Sequence, residues 1–388
     1  MAKGDITVCQ VQAIAAGGMG YGRSEGRSIF MDFTAPGDLV KLRIIDEKSH
    51  WAKGEVLELL ETSSLRTEPP CALYTRCGGC SLQHLNYEAQ LSAKAAILTE
   101  SFERIGGFAP PGFTIRPSNP LEYRNRFQFH CMPGRRNELG FRERHGREVI
   151  KLPDCPIAVP VIRRILKDPK QRSIIPPPQK DRFTVYCKGD LVLSEGGQAR
   201  GKVSIKGKEL LVDAGVFFQS NAAMLELLLM DLETLAEKAD RNLPMGDIYA
   251  GVGTFTAFLG DKFPEAELVE ENSAALALAR ENAKGHIRRF CALSADEWIK
   301  VNKTKDPEWG LLIVDPPREG LSMALRQYLA VSKTKTLAYV SCDPATLARD
   351  SKDLVTAGFR LKELCMYDFY PQTAHIESLA VFKRDNES

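Results

Sequence analysis

Asp247-Ile248-Tyr249-Ala250-Gly251-Val252-Gly253-Thr254 is the stretch whose reading decides the fold. A strand ends at Asp247-Ile248-Tyr249, two glycines let the backbone turn sharply and approach a ligand, and a helix follows. The alternation repeats downstream. Ala266-Glu267-Leu268-Val269-Glu270 precedes an Ala-rich helix to about Lys284. Leu311-Leu312-Ile313-Val314-Asp315 and Leu337-Ala338-Tyr339-Val340-Ser341 are continuous apolar runs, the kind buried on both faces of a parallel sheet. Upstream, Asn221 can cap a helix running to about Lys238. Residues 213–388 therefore read as an α/β unit with a Rossmann-like, doubly wound parallel sheet.

Ligands of such sheets bind beyond the carboxyl ends of the strands. Asp247, Glu270, Asp315 and Cys342 all fall there. A carboxylate at Glu270 can accept both hydroxyls of a ribose. The glycine turn lacks the third glycine of a dinucleotide fingerprint, and taken alone it reads equally as a structural turn. Together with Glu270 and Asp315-Pro316-Pro317 it suits adenosylmethionine better than a dinucleotide, since no pyrophosphate needs a helix N-terminus.

The first part of the chain has a different texture. Residues 1–62 hold short β-rich pieces (Ile6–Val8, Ser28–Met31, Leu39–Ile45, Gly54–Leu57) separated by glycine and proline turns. That pattern predicts a small OB-like β-barrel, a common nucleic-acid-binding type, with a ligand-free β cap as the plainer alternative. Residues 63–212 form a central unit. It has a cysteine-rich start at 71–80, an amphipathic helix over 87–105 ended by Gly106-Gly107, strands over 113–212, and a loop at Pro176-Pro177-Pro178. No internal repeat or long low-complexity segment is visible.

The 388 residues are 44% hydrophobic and 26% charged, with a net charge of +2, as in a soluble globular protein of two or three domains. No apolar run is long enough to span a bilayer, and Met1–Gln10 lacks a signal-peptide layout. These features predict a cytoplasmic protein without a membrane partner. Charge is unevenly spread. Residues 1–212 carry 32 Lys and Arg against 23 Asp and Glu, a net +9, whereas residues 213–388 carry 20 against 27, a net −7. A basic half suggests an anionic partner, though ordinary surface variation gives the same pattern. Tyr123-Arg124-Asn125-Arg126-Phe127-Gln128-Phe129-His130, followed by Arg135, Arg136, Arg142, Arg144, Arg147 and Lys151, interleaves cations with aromatics. It reads as a surface for phosphates and unpaired bases, or as a hairpin with its arginines in solvent and its rings in the core.

Ten cysteines in a cytoplasmic chain argue for metal binding or catalysis rather than disulfides. Cys71, Cys77 and Cys80 form Cys-x5-Cys-Gly-Gly-Cys. With a fourth thiolate from Cys155, Cys131 or Cys187 they could hold a [4Fe–4S] cluster or a tetrahedral zinc. Cys9, Cys291 and Cys365 read as buried small hydrophobes.

In combination these motifs resemble the RNA (uracil-5-)-methyltransferases, in particular the branch with an N-terminal TRAM domain and an iron–sulfur cluster. The matching stretches are Cys-Gly-Gly-Cys-Ser-Leu-Gln-His (77–84), Tyr-Arg-Asn-Arg (123–126), Gly-Phe-Arg-Glu-Arg (140–144), Phe-Phe-Gln-Ser-Asn (217–221), Asp-Ile-Tyr-Ala-Gly-Val-Gly-Thr-Phe (247–255), Asp-Pro-Pro-Arg-Glu-Gly (315–320), Tyr-Val-Ser-Cys-Asp-Pro-Ala-Thr-Leu-Ala-Arg-Asp (339–350) and His-Ile-Glu-Ser (375–378). The resemblance implies that Gln219, Tyr249, Thr254, Glu270 and Asp315 contact S-adenosyl-L-methionine. It implies that Cys342 is the nucleophile, Glu377 the general base, and Cys71, Cys77, Cys80 and Cys155 the ligands of a [4Fe–4S] cluster. It also implies that the 87–105 helix packs on the catalytic domain. Thr254 stands where the family commonly has Asn, and Ser294 or Asp296 must serve as the adenine contact after the third strand. The substrate implied is structured RNA, with 23S ribosomal RNA favoured over the T-loop of transfer RNA, acted on by a monomer without an obligate protein partner.

C5 of uracil is too weak a nucleophile to take the methyl group directly, so a thiolate must first add to C6 and a base must later remove the C5 proton. Three other readings compete. A cytosine-C5 RNA methyltransferase carries a second cysteine after its Asp-Pro stretch, where Pro317-Arg318 stands here. A non-catalytic iron–sulfur RNA-binding protein has no need of an intact Cys342 and Glu377. A radical adenosylmethionine enzyme wants Cys-x3-Cys-x2-Cys spacing.

Overall fold

Residues 6–61 close on themselves. In this computed structural model, which describes residues 2–172, 175, 181–285, 288–302 and 308–384, β1 (Ile6–Ile14), β2 (Gly20–Ser24), β3 (Arg27–Met31), β4 (Leu39–Glu47) and β5 (Trp51–Glu61) form a barrel in the order β1-β2-β3-β5-β4. Alternate residues point inward, so Cys9, Val11, Ile29, Met31, Val40, Leu42, Ile44 and Ala52 make its core. β2 lies in a segment whose Gly-Tyr-Gly reads as a turn. The glycines are needed because the strands press together there: a Cβ on Gly22 would lie 2.4 Å from the Gln10 carbonyl oxygen.

The barrel is fastened to the segment between β5 and the first helix. Arg66 donates to both oxygens of the fully buried Asp38, at 2.7 to 3.1 Å, and to the Phe33 carbonyl at 2.9 Å. His84 spans the same junction, with Nε2 3.0 Å from the Thr34 carbonyl and Nδ1 2.6 Å from the Tyr74 hydroxyl.

α1 (Tyr87–Ser101) is capped by Asn86 and continues as one π-helical turn, Phe102–Gly106, before Gly107 stops it in a left-handed conformation. β6 (Thr114–Arg116) follows. The central layer is a five-stranded sheet in the order β11-β10-β7-β8-β9. Its strands are β7 (Arg126–Met132), β8 (Arg135–Arg142), β9 (Val149–Lys151), β10 (Arg182–Lys188) and β11 (Leu191–Ser194). Two short helices, α2 (Pro160–Lys167) and α3 (Pro169–Arg172), precede β10, and a hairpin of β12 (Arg200–Ile205) and β13 (Lys208–Asp213) follows β11. The Pro176-Pro177-Pro178 loop and the side chains of Arg135 and Arg136 lie outside the described residues.

The rest alternates helix and strand: α4 (Ala222–Lys238), β14 (Met245–Ile248), α5 (Thr254–Leu259), β15 (Ala266–Val269), α6 (Ser273–Asn282), β16 (Arg288–Cys291), α7 (Ala295–Asn302), β17 (Leu311–Val314), α8 (Met323–Val331), β18 (Thr336–Ser341), α9 (Pro344–Thr356), β19 (Phe359–Tyr367) and β20 (Glu377–Arg384). The sheet order is β16-β15-β14-β17-β18-β20-β19-β6. Its first five strands are mutually parallel, and β20 runs antiparallel between β18 and β19. Apolar clusters cover both faces, which is why β14, β15, β17 and β18 are buried at every position. The sheet is not confined to residues after 213. β6 pairs parallel with β19, Ile115 opposite Met366, and covers an edge that would otherwise expose unpaired backbone groups. α1 and its π turn pack on α9. Among the described residues, no helix is long and apolar enough to cross a membrane.

Burial alone would raise the Asp38 carboxyl, but hydrogen bonds from Arg66 and from the Ala35 and Ser63 N–H groups bring it below its ordinary value. Arg66→Met strands a buried carboxylate and is expected to cost about 3–5 kcal/mol. Because a lowered carboxyl stabilises the fold above its unfolded pKa and loses that effect as pH falls through the folded one, the loss should shrink below pH about 4. Urea melts of both proteins from pH 3 to 7 check this; a pH-independent difference would contradict it.

Candidate active site

Four strands deliver one residue each to the same edge of the sheet. Tyr249, Glu270, Asp315 and Cys342 are the first residues after β14, β15, β17 and β18. Glu377, the first residue of β20, starts at that edge because β20 runs the other way. The ladder pairs Ser341 with Ser378, and Cys342 and Glu377, each next to a member of that pair, line the same cavity. Glu377 thus opens a strand.

All seven side chains expected at the reaction and donor sites, Gln219, Tyr249, Thr254, Glu270, Asp315, Cys342 and Glu377, line one cavity of about 490 Å³. Its other walls include Phe217 and Arg318, from the 217–221 and 315–320 stretches, and Glu271 and Asn272, which sequence reading missed. Phe217 is 61% exposed at the rim, with the Arg126 guanidinium 5.6 Å from its ring. A side cavity of about 220 Å³ shares Tyr249, Glu270 and Glu271, and is lined by both Ser294 and Asp296. Ser294 is bonded to Glu297, and Asp296 accepts from the Ser322 hydroxyl.

The loop after β14 is shaped for close approach. Tyr249 has φ 65°, and Gly251 and Gly253 have φ 55° and 76°. A Cβ on Gly253 would meet Ala279 at 2.9 Å. The left-handed Tyr249 is an outlier for a bulky residue, held by N–H bonds from Tyr249 and Ala250 to the Val269 carbonyl. Glu270 accepts from the Gly251 and Asn272 N–H groups at 2.8 and 2.7 Å. Gln219 Oε1 is buried with no protein partner, so a donor from a bound molecule can satisfy it. Asp247 lies beneath the loop rather than in the cavity. It accepts from the Thr256 N–H at 3.2 Å and hydroxyl at 2.7 Å, and its other oxygen has no partner.

The electrostatics are one-sided. Burial, then the Asp315 carboxylate, push Glu377 well above the ordinary carboxyl range, with Arg318 opposing. Burial, then Glu377 and Asp315, push the Cys342 thiol up to about 12, again against Arg318. Burial and Asp247 lift Asp315 to about 7. Three acidic groups therefore share an edge, and bound positive charge there would favour their ionised forms.

A second cluster lies in the central layer. Cys71, Cys77, Cys80 and Cys155 line one small cavity with Tyr74, Gln83 and Arg124. Cys131 and Cys187 are buried in the neighbouring apolar core instead. Burial raises all four lining thiols, Cys80 to about 12. Among the described residues, no three His, Cys, Asp or Glu side chains converge tightly enough for a single metal ion. Tetrahedral zinc needs sulfurs about 3.8 Å apart, whereas a four-iron cube holds its thiolates farther apart. Of the remaining cysteines, Cys9 is buried as expected, but Cys291 and Cys365 are partly exposed. The basic, aromatic segment divides. Phe127 and Phe129 are buried and stack with Phe141 at 5.5 to 5.7 Å, while Arg142, Arg147 and Lys151 face solvent.

An eight-stranded sheet with one reversed strand, a glycine loop after β14 and a ligand cavity at the strand ends define an α/β methyltransferase. The profile of the tRNA (Uracil-5-)-methyltransferase family matches residues 195–385. An RNA methyltransferase of Treponema denticola is 31% identical over 93% of this chain and 95% of its own. The 23S rRNA (uracil(1939)-C(5))-methyltransferase RlmD of Pseudomonas fluorescens is 30% identical over 96% and 93%. The Pyrococcus abyssi tRNA (uracil-54, C5)-methyltransferase, solved with S-adenosyl-L-homocysteine, superposes with a TM-score of 0.73 over 97% of this chain and 100% of that one, at 23% identity. The chain belongs to the RNA (uracil-5-)-methyltransferase family.

Burial raises Asp247 to about 6 from 3.8. A raised carboxyl leaves stability intact below the unfolded value and removes it as pH rises through the folded one. Asp247→Asn should abolish this decline and gain up to about 3 kcal/mol over the natural protein at pH 8 but little at pH 4. Denaturation at both pH values measures it; equal differences would show that Asp247 does not titrate in this range.

Proposed function

We propose that this protein methylates C5 of a uridine in structured RNA, with 23S ribosomal RNA as the substrate, using S-adenosyl-L-methionine as the methyl-donating substrate. The observation that carries the reading is that Cys342, just after β18, and Glu377, at the start of β20, line one cavity together with Gln219, Tyr249, Thr254, Glu270 and Asp315. The donor brings an electrophilic methyl group on a sulfonium, whose positive charge suits an edge crowded with acids. Glu270 and Gln219 offer it acceptors, with Ser294 and Asp296 at the side cavity.

Cys342, ionised, adds to C6 of uracil, and the displaced electron pair makes C5 nucleophilic. C5 then takes the methyl carbon, the donor leaving as the thioether. Glu377 removes the proton left on C5, the C5–C6 double bond re-forms, and the Cys342 sulfur departs as thiolate. Cys342 also precedes α9, capped by Asp343, whose carboxylate accepts from Ala345 and Thr346; the helix N-terminus favours the thiolate against the burial that opposes it.

The target base must leave its stack to enter this cavity. The barrel and the exposed arginines of the central layer supply the grip on surrounding RNA. Cys71, Cys77, Cys80 and Cys155, which line one small cavity, would hold a [4Fe–4S] cluster; methyl transfer moves no net electrons, so the group would serve a structural rather than a redox purpose there. The units are the TRAM-type barrel 1–62, the central 63–212 and the catalytic 213–388, the last extended by α1 and β6.

Cys342→Ala should abolish methylation, with RNA binding changed less than about threefold, and residual turnover would remove the nucleophile. Glu377→Gln should leave a Cys342–RNA adduct that survives a denaturing gel; normal turnover without adduct would free Glu377 of the base role. Cys77→Ser should bleach the iron–sulfur absorbance of anaerobically purified protein and lower its iron content, and unchanged iron would exclude that ligand. Loss of one 5-methyluridine from 23S rRNA in cells lacking the protein tests the substrate, a loss from the transfer RNA T-loop being the alternative.

A further inference from the structure

We propose that Gln90 and Lys94 of α1 are positioning residues for Glu377, controlling proton removal from the adduct rather than methyl transfer; this rests on Glu377 being the base. The loop 368–376 between β19 and β20 leads directly into Glu377, and its polar groups are held from the far end of the chain. Lys94, buried with 1% exposure, donates to Asp368 Oδ1 at 2.5 Å and to the Tyr370 carbonyl at 3.0 Å. Gln90, fully buried, accepts from the Gln372 N–H at 2.8 Å and donates to Gln372 Oε1 at 3.0 Å. The Ser81 and Leu82 N–H groups donate to the Gln372 carbonyl at 3.0 and 2.9 Å. Ser81 Oγ accepts from Ala374 N–H at 3.1 Å.

The point most tightly held is also the one most in need of holding. Gln372 has φ 69°, a left-handed conformation unfavourable for a side chain of its size. Such residues persist where neighbours over-determine them, and here the N–H, carbonyl and side chain of Gln372 are all bonded to residues 81–90. Nothing in the known reaction uses Lys94 or Gln90, and neither lines the reaction cavity. Glu377 is therefore fixed from both sides: it pairs with Tyr367 of β19 and the ladder to β18 begins at Ser378, and α1 fixes the approach through the loop. Cys342 depends on β18 and the α9 cap instead. Loosening the loop should displace the base and leave the nucleophile in place.

The full-length Gln90→Met variant is assayed on an unmodified 23S rRNA transcript, with an unmodified transfer RNA transcript beside it. Turnover and denaturation-stable Cys342–RNA adduct are both measured. A displacement of about 1 Å slows a positioned step by about 100-fold, so turnover should fall while the trapped fraction of enzyme rises at least about tenfold. Turnover that falls without adduct, or does not fall, overturns the proposal. Glu377→Gln run in parallel separates the two ideas. If it traps adduct and Gln90→Met does not, the positioning role fails and the base stands; if Glu377→Gln itself traps none, the base assignment fails. Should Gln90→Met not fold by thermal melt, Lys94→Met combined with Asp368→Asn removes the other tether without leaving a buried charge, and the same outcomes decide.

Discussion

The reversal of one strand governs the rest of the site. Five parallel strands can only send residues beyond their carboxyl ends, so every group they contribute arrives from below. β20 enters from the opposite direction, and its pairing with β18, Ser341 against Ser378, brings Glu377 to the cavity that Cys342 also lines. A slip of one residue would turn Glu377 to the other face of the sheet. The buried side chains of β18 and β20, from Leu337 and Val340 to Leu379 and Phe382, are what forbid that slip. Packing in the core thus sets where Glu377 stands at the cavity.

Those two groups, with Asp315, illustrate how a site can be held in a disfavoured state. Burial raises all three, acidic neighbours add to it, and Arg318 opposes the shift at Cys342 and Glu377. A positive charge bound beside these groups would favour their ionised forms.

Much of this is legible in the sequence because strand ends leave a local signature. Glu270, Asp315 and Cys342 each follow an apolar run, and the Gly-Val-Gly turn after Asp247-Ile248-Tyr249 marks the first crossover. Register leaves none: nothing local in His375-Ile376-Glu377 says which residue it will face. β6 is only Thr-Ile-Arg, too short for any period, and its partner strand lies near the other end of the chain. β2 is hidden because Gly20 and Gly22 read as punctuation, although close strand approach is their reason. The aromatic residues of Tyr123–His130 carry the same letters whether they stack on bases or on one another; Phe127 and Phe129 stack on Phe141, which only the fold reveals.

The pairing of β6 with β19 has a bearing on how the chain is made. A ribosome releases Thr114–Arg116 long before Cys365–Tyr367, so the early strand must wait with its backbone unpaired while the central layer folds beside it. β18 likewise leaves the ribosome before β20, so the ladder that sets Ser341 against Ser378 closes only after both have emerged.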